Sequence, residues 1–189
     1  MSDLTFGFAM CGSFCTFEKV MEQMRAIVEK GYRLLPIMSY QASSTDTRFG
    51  KAEDINARVE EICGHKILKS IVEVEPIGPK GMVDLMIVAP CTGNTASKIA
   101  LGITDTPVVM AVKSHLRNLK PVLIAISTND AMGASAKNIG ALMNTQNIFF
   151  VPMSQDNYMK KATSMVAEMD LIPKAAILAL EGKQIQPIY

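Results

Sequence analysis

Tryptophan is missing from this 189-residue chain, and only two histidines are present. With so few imidazoles and no clustered carboxylates, the sequence lacks the donor set of a metal centre. Four cysteines stand at positions 11, 15, 63 and 91, with no Cys-x-x-Cys pair among them. That spacing excludes a zinc ribbon and a redox dithiol motif. No secretory leader pattern is present, so reduced thiols and a cytoplasmic setting are expected. No apolar run reaches the ~18 residues of a membrane span. Charge of one sign is also scarce: 19 Lys and Arg against 18 Asp and Glu leave +1. Without a basic block, nucleic-acid binding has no electrostatic support. No internal repeat, linker or low-complexity tract interrupts the chain.

What is present is core material. Apolar residues make up 49% of the chain, and 14 methionines serve as adaptable filler. The length suits one domain over residues 1–189. The stretch 84–102 organises the rest. Residues 85–89 form a short unbroken apolar run between Asp84 and Pro90, as expected of a strand buried on both faces of a parallel sheet. Pro90, lacking an N–H, belongs at its end. Cys91, Thr92, Gly93, Asn94 and Thr95 then make a small polar turn. Ala96, Ile99, Ala100 and Ile103 follow at helical spacing. Strand, polar turn and helix start can together present hydroxyls, an amide and free N–H groups to a ligand. The same residues equally suit an ordinary strand-to-helix turn with a Thr or Asn cap.

The remaining pattern alternates strands and helices. A strand over 4–10 leads through Cys11, Gly12 and Ser13 into a helix over 18–30, closed by Gly31. A strand over 32–38 ends at Ser39. Residues 41–50 read as a polar loop, 52–63 as an amphipathic helix, and 67–74 as either a strand or a short helix. Pro and Gly exclude regular structure over 75–81, a loop that could border the site. A helix over 107–113, a strand over 121–127 ending in Thr128 and Asn129, and a helix over 137–143 come next. A strand over 148–151 and helices over 163–169 and 174–181 complete the chain. His65, at a helix C-terminus, reads as a partner for the helix dipole. About five strands alternating with helices predict an α/β fold, a flavodoxin-like or Rossmann-like three-layer, doubly wound, mostly parallel sheet. The strand tips carrying Gly12, Ser13, Ser39, Thr92–Thr95, Thr128 and Asn129 suit a neutral ring and a phosphate better than a metal. The spacing around Gly12 lacks the full dinucleotide fingerprint.

These motifs resemble the flavoprotein family that contains the FMN-dependent cysteine decarboxylases. Gly12-Ser13, Ser39 and Pro90-Cys-Thr-Gly-Asn-Thr95 match its pocket motifs, and Asn129 with Met132 matches its Asn-x-x-Met element. A fuller resemblance, through segments 75–80, 89–95, 127–130, 150–156 and 184–187, is to the branch of this family that works as one component of a two-component sporulation synthase. That resemblance implies FMN as cofactor and a flavodoxin-like fold. It also implies a homo-oligomer of three or more copies with the flavin in a cleft between them. It implies a partner protein with a nicotinamide-binding Rossmann domain. The pair would convert a dihydro- or hydroxytetrahydro- precursor to pyridine-2,6-dicarboxylate in the mother cell of a spore former. The family's catalytic His falls at Pro76, its flap cysteine has no counterpart over 154–170, and its Trp becomes Gly133. Decarboxylation of a peptidyl cysteine is thus not implied. Candidates for acid–base or carboxylate-binding work are Glu75, Lys80 and Asn129, with Lys113 and Arg117 as further cations. Two other readings fit the same residues: a non-redox activator of the partner protein, and an FMN-dependent decarboxylase or flavin prenyltransferase-like enzyme.

Overall fold

The computed structural model describes residues 3–189. In chain order, β1 (Thr5–Met10) leads through a 3-10 turn (Phe14–Thr16) into α1 (Phe17–Glu29) and β2 (Arg33–Met38). Next come α2 (Tyr40–Ser44), α3 (Ala52–Cys63), α4 (Ile71–Val74), a 3-10 turn (Glu75–Ile77) and β3 (Leu85–Cys91). Then α5 (Gly93–Ala100), α6 (Pro107–Leu116), β4 (Val122–Thr128), α7 (Ala136–Met143) and β5 (Ile148–Phe150) follow. The chain ends with β6 (Met153–Ser154), β7 (Met165–Ala167), a 3-10 turn (Met169–Leu171) and α8 (Ile172–Leu180).

Seven strands among the described residues form one sheet in the order β2-β1-β3-β4-β7-β6, with β5 also on β4. The pairs β1–β2, β1–β3, β3–β4 and β4–β5 are parallel. Residues alternate across it as a pleat requires. Phe6, Phe8 and Met10 of β1, with Leu85 and Ile87 of β3, pack with α1 and α8 on one face. Ala9, Met86, Val88 and Ile124 pack with α5, α6 and α7 on the other. Both faces are therefore covered, giving the expected three-layer α/β arrangement.

Four expectations need correction. The sequence predicts a helix over 163–169, but Met165–Ala167 form β7. It pairs antiparallel with the last residues of β4, Val166 opposite Ser127 and Met165 opposite Thr128. Long-range pairing outweighs the local apolar spacing here. The polar stretch 41–50 begins in a helix, α2, because the Ser39 hydroxyl caps it by accepting from the Ala42 N–H at 3.2 Å. The ambiguity over 67–74 resolves as both elements. Leu68 bridges β2, and α4 follows behind a capping box of Ser70 and Glu73. Residues 75–77 do form a 3-10 turn, with Pro76 in its first positions, where a missing N–H costs nothing.

The sheet margins are finished individually. Pro36 stands mid-strand in edge strand β2, where its missing N–H falls on the outer side. Its carbonyl accepts from the Leu68 N–H at 2.9 Å. On β5, the Gln184 carboxamide accepts from the Phe150 N–H at 2.8 Å and donates to its carbonyl at 2.7 Å. Strand β6 is only two residues long.

Candidate functional site

The carboxyl ends of β1, β3 and β4 meet at one edge of the sheet. The Cys11 N–H donates to the Pro90 carbonyl (3.2 Å), tying the loop after β1 to the end of β3. Ser13 shares a hydroxyl–hydroxyl hydrogen bond with Ser127 (2.7 Å), tying that loop to the end of β4. The β3 register shifts against β4 between Val88 and Cys91. Such an irregularity bends the strand tip and re-aims the turn that follows. Thr92 caps α5, accepting from the Thr95 N–H at 3.2 Å and donating to the Thr95 hydroxyl at 3.1 Å.

A cavity of about 510 Å³ opens over this edge, within the range of small-molecule sites. Of the residues singled out from sequence, Gly12, Ser13, Thr92, Thr128 and Asn129 line it. The others lie behind or beside it. Ser39 is buried, with its hydroxyl committed to the α2 cap. Cys91 and Thr95 are buried, Gly93 is packed under Ser135, and Asn94 is exposed on the first turn of α5. Glu75 and Lys80 are exposed outside the cavity wall. Their segment packs instead on the end of α6: Ser114 donates to the Glu75 carbonyl (2.8 Å) and accepts from the Gly78 N–H (2.9 Å). Lys113 and Arg117 border a separate groove between α5 and α6.

Besides Phe14, Cys15 and Val166, three wall segments were not singled out as site residues from sequence. The first is Arg48-Phe49, at the tip of a tight turn. The second is Asp156, Lys161 and Ser164, from the hairpin joining β6 to β7. The third is Ser127. Ser127 precedes the predicted Thr128 and carried the same small polar signature. The other two arrive by tertiary folding, and no local spacing announces them. Lys161 pairs with Asp156 at 3.0 Å. A bond from Ser164, then the Lys161 ammonium, holds the Asp156 carboxyl below its usual range.

The two thiols nearest the strand tips are structural. Burial pushes Cys11 up to about 11, although the Thr95 side chain and Thr92 backbone bond to it. Burial, with Cys11 as neighbour, also raises Cys91 well above the usual thiol range. Both stay protonated and neither is a nucleophile at neutral pH. Among the described residues no imidazole reaches the cavity: His65 follows α3, and His115 is buried on α6 with Nε2 3.0 Å from the Pro121 carbonyl. The wall thus offers hydroxyls, an amide, the first N–H groups of the Phe14–Thr16 turn, two aromatic rings, two cations and one carboxylate.

Comparison with known proteins agrees with this architecture. The B subunit of dipicolinate synthase from Bacillus subtilis is 46% identical over 182 residues, covering 96% of this chain and 91% of that protein. The crystal structure of the corresponding B subunit from Bacillus halodurans superposes with a TM-score of 0.91 at 43% identity, covering 99% of this chain and 96% of that one. The Burkholderia xenovorans protein DmrB in complex with FMN, described as a cubic protein cage for redox transfer, shares the fold at 18% identity. Its TM-score is 0.64, covering 85% of this chain and 93% of that one. The Flavoprotein family model matches residues 2–175, and this chain belongs to the Flavoprotein family.

Proposed function

We propose that this chain is the B subunit of a dipicolinate synthase, binding FMN at the strand-tip cavity and working with the synthase's A subunit during sporulation. Its 46% identity to the Bacillus subtilis protein supports the assignment. The observation that carries the site is the 510 Å³ cavity where the loops after β1, β3 and β4 converge. Its donor set fits a phosphorylated planar ring. Ser13, Ser127 and Thr128 provide hydroxyls, Asn129 an amide, and Phe14 an aromatic wall. Gly12, Ser13, Thr92, Thr128 and Asn129 contact the cofactor in this reading. Ser39, Cys91, Gly93 and Thr95 hold the wall in shape from behind. Asn94, exposed on α5, is left to face a neighbouring copy in a homo-oligomer.

Converting a dihydro- precursor to pyridine-2,6-dicarboxylate removes two hydrogens from the ring, as a hydride equivalent and a proton. Bound FMN supplies the two-electron acceptor for such a reaction. The chain's own residues position the ring, exclude water and form hydrogen bonds. In this reading Asp156, the one carboxylate on the wall among the described residues, takes the proton.

A second reading has two observations in its favour: among the described residues no imidazole lines the cavity, and Glu75 and Lys80 stand exposed away from it. In that reading the chain activates its partner protein and takes no redox step. One experiment separates the two. The chain, alone and with the partner, is run through size exclusion with light scattering, and each peak is assayed for flavin and for precursor consumption. The first reading expects stoichiometric flavin, an oligomeric chain and activity that falls on flavin removal. Full activity from a flavin-free complex establishes the second.

A further inference from the structure

The cavity wall carries two cations on separate supports, and neither has a task in the proposed cofactor binding. Arg48 sits with Phe49 at the tip of a tight turn. Thr47 and Gly50 exchange two backbone hydrogen bonds (3.0 and 3.1 Å), and the Phe49 N–H donates to the Thr47 hydroxyl at 3.1 Å. Asp46 anchors the turn further by accepting from the Ala52 N–H at 2.8 Å, at the start of α3. Gly50 takes φ +142°, a conformation that favours glycine. An exposed polar stretch is thereby fixed in one shape, with a cation and an aromatic ring at its tip. The guanidinium lies 4.8 Å over the Phe49 ring centroid. It makes no ion pair among the described residues, so its fork of donors is uncommitted. Phe49 remains 45% exposed although it lines a cavity.

Lys161 belongs to the other support, the β6–β7 hairpin. Thr163 fastens this hairpin to the loop after β4, donating to the Asn129 carbonyl at 2.7 Å. The Met132 N–H in turn donates to the Thr163 carbonyl at 3.0 Å. Asp156 neutralises one side of Lys161 and leaves further donors on the ammonium.

We infer that Arg48 and Lys161 form a cation pair that selects a planar dianion, each taking one carboxylate of the substrate, with Phe49 against the ring. Arg48, stacked and forked, reads carboxylate geometry, and Lys161 acts as a point charge. Asp156 holds one side of Lys161, so the ligand's second carboxylate must compete with it for that ammonium. This inference rests on the proposed function for the identity of the ligand. The same cations could instead grip a phosphate, so the test separates the two sources.

The probe is pyridine-2,6-dicarboxylate, titrated calorimetrically into the full chain with and without FMN. Pyridine-2-carboxylate and inorganic phosphate serve as comparisons. Arg48→Gln, Arg48→Lys and the double variant Asp156→Asn/Lys161→Gln are titrated alongside the wild type, and each is checked for a native melting transition. The wild type is expected to prefer the dicarboxylate over the monocarboxylate. Arg48→Gln should weaken the dicarboxylate about ten- to hundredfold, Arg48→Lys should recover part of that loss, and the FMN dissociation constant should stay within about twofold. The double variant should bind both pyridine acids alike. Variants that bind the dicarboxylate as the wild type does overturn the inference. So does a wild type with no preference, or a parallel loss of FMN and phosphate affinity. Should the chain bind no FMN, the proposed function fails, while the dicarboxylate titration of the flavin-free chain still decides this inference.

Discussion

Gly93 shows how little room the strand-tip turn leaves. A Cβ there would clash with the Ser135 hydroxyl and lie 2.7 Å from both the Asp130 carboxylate and the Thr128 hydroxyl. Asp130 holds that cluster together, accepting from Thr128 at 2.6 Å and from Ser135 at 3.0 Å. The loop after β4 is thus pressed onto the start of α5, with glycine as the spacer. Gly93→Ala is expected to destabilise the fold by about 1–3 kcal/mol through overpacking, read as a fall in the urea midpoint. Adding Ser135→Gly removes the closest clash, and the double variant should regain part of the loss. Strict additivity of the two substitutions would show that the contact is relieved elsewhere. The sequence presents Gly93 as one more turn glycine, and its partners, Thr128, Asp130 and Ser135, lie far along the chain and are invisible without the fold.

Among the elements, the β6–β7 hairpin contributes most to the site that local pattern does not reveal. Its attachment rests on few bonds, of which the Thr163 hydroxyl to the Asn129 carbonyl is one. Thr163→Val is expected to raise amide exchange over residues 155–164 about tenfold, with the melting temperature nearly unchanged. Equal protection in the variant would mean that the strand pairing alone fixes the hairpin. The regular elements were far more legible. The amphipathic period places α3 at Ala52–Cys63 with Gly64 closing it, and the apolar runs of β3 and β4 reveal buried parallel strands, because both signals are local. Strand β7 depends on pairing across the fold, and its local spacing suggested a helix instead. Residues 47–50 are a turn within the expected loop, but nothing local places their tip at the cavity. The same division holds in the cavity. Residues that follow a strand directly were found, while Arg48 and Lys161, carried in on irregular segments, were not.

At the scale of the whole molecule, His115 gives stability a pH dependence. Its ring is buried on α6, and burial depresses its pKa to about 4 from 6.5. The bond to the Pro121 carbonyl and the neighbouring Asp84 oppose that shift, and Lys120 adds to it. The unfolded chain therefore takes up a proton near pH 6.5 that the folded chain refuses until about pH 4. This contribution to stability is complete above about pH 6.5 and is lost as pH falls towards 4, at up to about 1.4 kcal/mol per pH unit. Urea midpoints between about pH 6.5 and about pH 4.5 should fall accordingly in the wild type, and the slope should flatten in His115→Gln. An unchanged slope in the variant would assign the effect to other groups.

The finished margins of the sheet bear on how copies and partners can meet. Leu68 occupies the outer side of β2, the Gln184 carboxamide closes β5, and β6 offers two residues. No long row of unsatisfied main-chain groups is left to template another chain's strand, so cross-chain ladder growth, the usual route to fibrils, has no starting rung among the described residues. Any larger particle must be built by side chains meeting side chains, on helix surfaces and connecting loops.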